Sequence, residues 1–135
     1  MDFNYQHHCF VCGEQNPAGM KLKFTRWEDK VRTPFLPADI YQGYPGILHG
    51  GITSTILDEV MSQCLHAQGL AGLTARLEIR FRKSIPLNRP VIFEGRILKR
   101  KGPLADIEAK AFLENGQVAA EALGRFMLED HTKRQ

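Results

Sequence analysis

The segment that most constrains this chain runs from Ile52 to Gln68. Ile52, Ile56, Leu57, Val60, Met61, Cys64 and Ala67 recur at three- and four-residue intervals, the spacing of one helical face. Their stripe covers more than half the circumference, with Leu65 at its edge. A helix this apolar cannot rest on a surface with one side in water, so other elements have to wrap it. Gly69 and Gly72 bracket its end.

The flanking segments read as strands. Met20, Leu22 and Phe24 alternate with Lys21, Lys23 and Thr25, a half-buried strand. Glu28 to Lys30 form a turn, and Val31 to Phe35 make the return strand, ending at Pro34 or Pro37. Pro37 to Gly46 carries two prolines and two glycines and reads as a loop. Beyond the helix, Leu77, Ile79 and Phe81 alternate with Arg76, Glu78, Arg80 and Arg82, the cleanest period-two segment of the chain. Pro86 and Pro90 bracket a turn, followed by a strand over Val91–Lys99. Leu104–Glu114 and Gln117–Leu128 are joined by Asn115-Gly116, a strong hairpin signal. The order is two strands, one long helix, then four strands. Consecutive hairpins imply antiparallel pairing. One helix covered by a curved antiparallel sheet is the α+β hotdog arrangement, and this is the fold expected.

The 135 residues fit a single domain spanning 1–135, with an irregular segment over 1–19 and a polar tail over 129–135. A chain this short buries only about two-thirds of its unfolded surface by itself, so association with further copies would bury more. A net charge of +3 is too small to imply nucleic acid as a partner, yet it suits a phosphate-bearing small molecule. No stretch approaches the ~20 apolar residues of a membrane span. Met1 to Tyr5 lacks the pattern of a signal peptide. The three cysteines argue against a disulfide framework and for a reducing cytoplasm. Cys9 and Cys12, with His7 or His8, supply at most half a zinc site. No second Cys-x-x-Cys exists and Cys64 falls on the helix. Cys9 and Cys12 are therefore read as packing or turn residues.

Several residues carry candidate chemistry. Gly50 and Gly51 sit where a loop becomes the helix. A helix N-terminus offers unpaired N–H groups and partial positive charge, and glycine lets a carbonyl approach closely. The Gly51 N–H is thus a candidate oxyanion donor; the plainer reading is a tight turn. Asp58 lies mid-helix, where aspartate has poor propensity, at the border of the apolar stripe beside Ser54 and Leu65. The plainer reading there is a solvated aspartate. Glu59 points about 100° away. His49 either orients substrate or caps the loop.

Three segments resemble the hotdog thioesterase superfamily, of the phenylacetate-pathway and 4-hydroxybenzoyl-CoA type. They are Cys9-Phe10-Val11-Cys12-Gly13 with Asn16-Pro17-Ala18-Gly19-Met20, then Tyr44-Pro45-Gly46-Ile47-Leu48-His49-Gly50-Gly51 with Leu57-Asp58-Glu59, then Phe81-Arg82-Lys83-Ser84-Ile85-Pro86 with Val91 and Gly95. His-Gly-Gly alone is weak; an aspartate nine residues later on a buried helix makes it fairly specific. The resemblance implies hydrolysis of an acyl-CoA thioester in a homo-oligomer, a dimer or tetramer, with each site shared between subunits. It implies that Asp58, from the neighbouring subunit, attacks the carbonyl or activates water, and that Ser84 helps hold that water. Some relatives carry an asparagine six residues before the histidine. This chain has Gly43 there, with Gln42 beside it as a possible substitute. Coenzyme A carries phosphates, so its anchor is expected to be basic: Arg80, Arg82 and Lys83 on one strand, or Lys99, Arg100 and Lys101 at the next turn. Either cluster also reads as a solvated face. Met61, Leu65, Leu70 and Phe81 are candidates to line an acyl tunnel, though most would be core. The resemblance implies no metal and no cofactor.

Three rival classes remain open at this point. A β-hydroxyacyl dehydratase of the same fold would pair a histidine with a helix carboxylate, and would favour Glu59. A non-catalytic acyl-CoA binding module needs no carboxylate, since fold does not fix function. A small zinc-stabilised interaction module is a third.

Overall fold

The computed structural model describes residues 3–129. Thr25–Trp27 (β1) and Lys30–Phe35 (β2) precede the helix Gly50–His66 (α1); Gly72–Phe81 (β3), Val91–Lys101 (β4), Leu104–Phe112 (β5) and Val118–Leu128 (β6) follow it. The strands form one six-stranded sheet in the order β1-β2-β4-β5-β6-β3, with every neighbouring pair antiparallel. The sheet curves around α1, which packs against β2 to β6. This is the wrapped-helix arrangement that the apolar stripe demands.

The helix starts two residues earlier than its apolar pattern, because His49 caps it. His49 Nδ1 accepts a hydrogen bond from the Gly51 N–H at 2.8 Å, taking the place of the usual Ser, Thr, Asp or Asn. At the other end Gly69 adopts φ +74°. Leu70 N–H then reaches back to Leu65 O at 2.9 Å, which satisfies a terminal carbonyl. Between the ends Ile56, Leu57, Val60, Met61 and Leu65 are completely buried.

The sheet admits the helix by presenting small side chains. Ala105, Ala109 and Ala111 of β5 and Ala120 and Ala122 of β6 are buried. A Cβ on Gly95 would lie 2.9 Å from Cys64 Sγ and 3.2 Å from Val60 O, and one on Gly124 would lie 3.0 Å from Met61 Sδ. Helix and strands touch where these side chains are missing.

Two local readings change and one holds. Leu22 and Phe24 are buried as their alternation predicts, but the paired strand begins only at Thr25. Residues 20–24 instead bond to the N-terminal segment: Met20 N–H to Phe10 O at 2.8 Å and Leu22 N–H to Val11 O at 2.9 Å. Alternation reports burial, and it does not say which partner fills the ladder. Asn115-Gly116 does close a hairpin, through a turn from Leu113 to Gly116 (Gly116 N–H to Leu113 O, 2.9 Å) with Gly116 at φ +85°. β3 starts at Gly72, four residues before the alternating run at Arg76, because a bulge between Thr74 and Arg76 breaks the period. The tail expected over 129–135 lies, after Glu129, outside the described residues. Among the described residues no helix is long and apolar enough to cross a membrane.

Candidate functional site

A cleft of about 840 Å³ opens where α1 begins. One wall is the loop before the helix. Antiparallel bridges pin it, Gln42 to Leu48 and Ile47 to Pro86. The Gln42 side chain accepts from the Gly46 N–H at 2.8 Å, so it is engaged in holding the loop. The other wall is the end of β3 and the residues after it, where Leu48 N–H bonds Ile85 O at 2.8 Å. Of the candidates named from the sequence, Gln42, His49, Gly50, Arg82, Lys83 and Ser84 all line this cleft. Phe81 lines it too, whereas Met61 and Leu65 are core.

The helix N-terminus leaves a different N–H free from the one expected. The Gly51 N–H is taken by the His49 ring, so a carbonyl reaches it only by displacing that ring. Ile52 and Thr53 N–H both bond His49 O, at 3.0 and 3.1 Å. The Gly50 N–H takes no hydrogen bond among the described residues, and Gly50 borders the cleft. It is the donor free to meet an oxyanion. A Cβ there would meet the Phe81 ring at 3.7 Å, so Phe81 sits directly over this peptide. At Gly43, where some relatives carry asparagine, a Cβ would lie 3.0 Å from His49 Cα. The tight seating of the capping histidine explains the glycine.

Asp58 is half-buried on α1 and is not part of the cleft of its own chain. Eight residues of helix separate it from Gly50, about 12 Å along the axis. It is oriented by Thr74 of β3, whose hydroxyl donates to Asp58 Oδ1 at 2.7 Å. The sequence reading missed Thr74, since it lies before the bulge in a stretch with no alternation. It also missed Thr53 and Tyr44, which line the cleft.

The basic candidates divide in the same way. Lys83 lines the cleft, and Arg82 does so with its guanidinium paired to Glu121. Arg80 alternates to the opposite face of β3 from Phe81 and lies beside Glu121 and Lys110. Register places Phe81 across from Ala120, Ala111 and Phe93 in turn. Thr74 shares its row with Phe126, Ala105 and Arg100. Lys99 and Arg100 are therefore about 20 Å along the strands from the cleft row, at the end that carries Asp58. The cleft and Asp58 thus lie at opposite ends of β3.

Glu59 faces away from both, toward the N-terminal segment. Cys12 Sγ donates to its Oε2 at 3.2 Å, Gln63 Nε2 donates to the same oxygen at 2.8 Å, and Cys9 Sγ stands 3.8 Å from Oε1. Burial, with Glu59 adding to it, pushes the Cys12 thiol well above the ordinary thiol range. Cys64 is remote from this group, and burial pushes its thiol up to about 12.

Residues 45–120 match the sequence profile of the thioesterase superfamily. Over 131 residues the chain is 28% identical to acyl-coenzyme A thioesterase THEM4 of Bos taurus, which covers 95% of this chain and 54% of that protein. Over 61 residues it is 39% identical to THEM4 of Mus musculus, covering 45% of this chain and 26% of that protein. The chain therefore spans about half the length, or less, of these curated relatives. Among solved structures, the thioesterase superfamily protein RHA08564 aligns with a TM-score of 0.84 at 29% identity, over 89% of this chain and 63% of that one. The protein smu.793 of Streptococcus mutans, solved bound to acetyl CoA, aligns with a TM-score of 0.75 at 19% identity, over 80% of this chain and 88% of that one. That second likeness speaks for the fold alone.

Proposed function

This chain belongs to the thioesterase superfamily, and from that premise we propose that it hydrolyses acyl-CoA thioesters in a site completed by a second copy of itself. The observation that carries the reading is the division of the machinery along β3. The cleft, with its free Gly50 N–H, lies at one end, and Asp58, held by Thr74, lies at the other. β3 is an edge strand of the sheet, and Leu73 and Phe81 on it are exposed. Two copies joined antiparallel through this edge bring each Asp58 beside the other copy's cleft.

In that arrangement the thioester carbonyl docks on the Gly50 N–H, which stabilises the oxyanion as it forms. Asp58 of the second copy takes a proton from water, and the water oxygen attacks the carbonyl carbon. Collapse of the tetrahedral species breaks the C–S bond and expels CoA thiolate, leaving the free acid. Ser84, at the cleft wall, helps hold the water. Lys83 and Arg82 of one copy, with Lys99 and Arg100 of the other, would then meet the phosphates. The relatives named acyl-coenzyme A thioesterase support the reaction class. A tetramer would be a pair of such dimers. The three cysteines are unpaired, in keeping with a reducing cytoplasm.

The test is thiol release from a panel of short-chain, long-chain and aromatic acyl-CoAs, comparing wild type with Asp58→Asn. Turnover should fall by a factor of about 100 or more in the folded variant. Wild type that binds the panel and releases no thiol would make the protein an acyl-CoA binding module instead.

A further inference from the structure

Near Cys9 and Cys12 in the chain only His7 and His8 are further candidate donors, but the fold brings Glu59 of α1 to both thiols, which spacing alone could not show. Cys9, Cys12 and Glu59 place one ligand atom each within 4.8 Å of one another. Cys12 Sγ lies 3.2 Å from Glu59 Oε2, and Cys9 Sγ lies 3.8 Å from Oε1. With Zn–S near 2.3 Å and Zn–N or Zn–O near 2.0–2.1 Å, the ligand atoms of a tetrahedral zinc stand about 3.3–3.8 Å apart. We propose that Cys9, Cys12 and Glu59 form a zinc site, with water in the fourth position, that staples the N-terminal segment to the central helix.

Two features point the same way. The first is the turn that carries the thiols. Gly13 N–H bonds Cys9 O at 2.9 Å, and a Cβ on Gly13 would fall 2.3 Å from Cys9 N and 2.4 Å from His7 O. No side chain fits there, so the Cys-x-x-Cys-Gly segment folds into a knuckle that turns both sulfurs toward α1. The second is the surroundings of Glu59. Among the described residues no lysine or arginine pairs with this half-buried carboxylate; its partners are two thiols and the Gln63 amide. A carboxylate held against two sulfurs without a cation is a donor set that a divalent ion would complete.

Thiolate donors select zinc over magnesium or calcium, and a mixed sulfur and oxygen tetrahedron suits it. Uptake releases two thiol protons to solvent and leaves Zn²⁺ bound by two thiolates and one carboxylate, with water completing the tetrahedron. The three side chains come from the N-terminal segment and from α1, so the ion ties these two parts together. Asp58 precedes Glu59 on the same helix, so a bound ion would also stiffen the turn that presents Asp58.

The experiment is metal analysis of the full chain purified under reducing conditions, followed by zinc-for-cobalt exchange. The expected result is one zinc per chain and a thiolate-to-cobalt charge-transfer absorption on exchange. Cys12→Ser should abolish both. Glu59→Gln leaves both thiols in place and preserves the contact to α1, so it is the variant expected to stay folded. It should weaken zinc binding by about tenfold or more. A folded wild-type chain with free thiols that takes up neither added zinc nor added cobalt overturns the proposal. So does full metal retention by the Cys9→Ser/Cys12→Ser double variant. Metal content is read independently of thiol release, so the two proposals fail separately.

Discussion

At the residue scale the informative contrast is between Asp58 and Glu59. They are adjacent on one helix, yet Asp58 meets the hydroxyl of Thr74 on β3 while Glu59 meets the thiols of the N-terminal segment. The 100° step of the helix separates their environments. The Thr74 hydrogen bond fixes one oxygen of Asp58 and, in the proposed reaction, leaves the other to take the proton from water. Thr74→Val keeps the shape of the side chain and removes that donor. A hydrogen bond to a charged group contributes about 1.5 kcal/mol or more, so kcat should fall about tenfold with KM nearly unchanged. Steady-state kinetics of the variant check this, and a change confined to KM would remove Thr74 from the positioning of Asp58. Asp58 could be singled out in the sequence because aspartate is out of place in an apolar helix. Thr74 could not, because a threonine ahead of a bulge carries no pattern. The His49 ring was legible as either cap or catalyst, and only the 2.8 Å bond to the Gly51 N–H decides which group occupies that donor.

At the scale of elements, the fit of α1 into the sheet depends on what the strands omit. Gly95 in β4 lets the Cys64 sulfur and the Val60 carbonyl approach where a methyl group would stand at 2.9 and 3.2 Å. One of those two obstacles is backbone, so it cannot rotate away. Gly95→Ala should therefore cost about 1–3 kcal/mol despite its better strand propensity, as overpacked core positions do. Equilibrium urea unfolding measures this, and an unchanged midpoint would mean that helix and sheet separate more easily than the packing implies. The order of elements was legible throughout, because helix and strand periods differ and each apolar run is long enough to show its own. Boundaries were not. They depend on caps, on the β3 bulge and on the N-terminal segment pairing with residues 20–24, none of which leaves a periodic trace.

At the scale of the whole molecule, a single chain presents a cleft without a carboxylate and a carboxylate without a cleft. Sequence could nominate the members of both groups. It could not show that they lie at opposite ends of β3, because that depends on strand register across the sheet. If two copies complete each other through the β3 edge, two inactive variants should rescue one another. Asp58→Asn retains its cleft. Gly50→Leu fills the cleft, since its first carbon meets only the Phe81 ring at ordinary contact distance, and it retains Asp58. Each variant alone forms dimers with no complete site. After unfolding together and refolding, half of the dimers are mixed, and each mixed dimer holds one intact site out of two. Activity should return to about a quarter of the wild-type value, as a two-fold shared site requires. Rescue that appears on refolding the mixture, and not on simply combining the folded variants, would trace it to exchange of chains. No rescue, from a mixture shown to contain mixed dimers, would mean that each chain completes its own site. Asp58 would then have to cross the 12 Å of helix that separates it from Gly50, and the reading of the cleft would have to change with it.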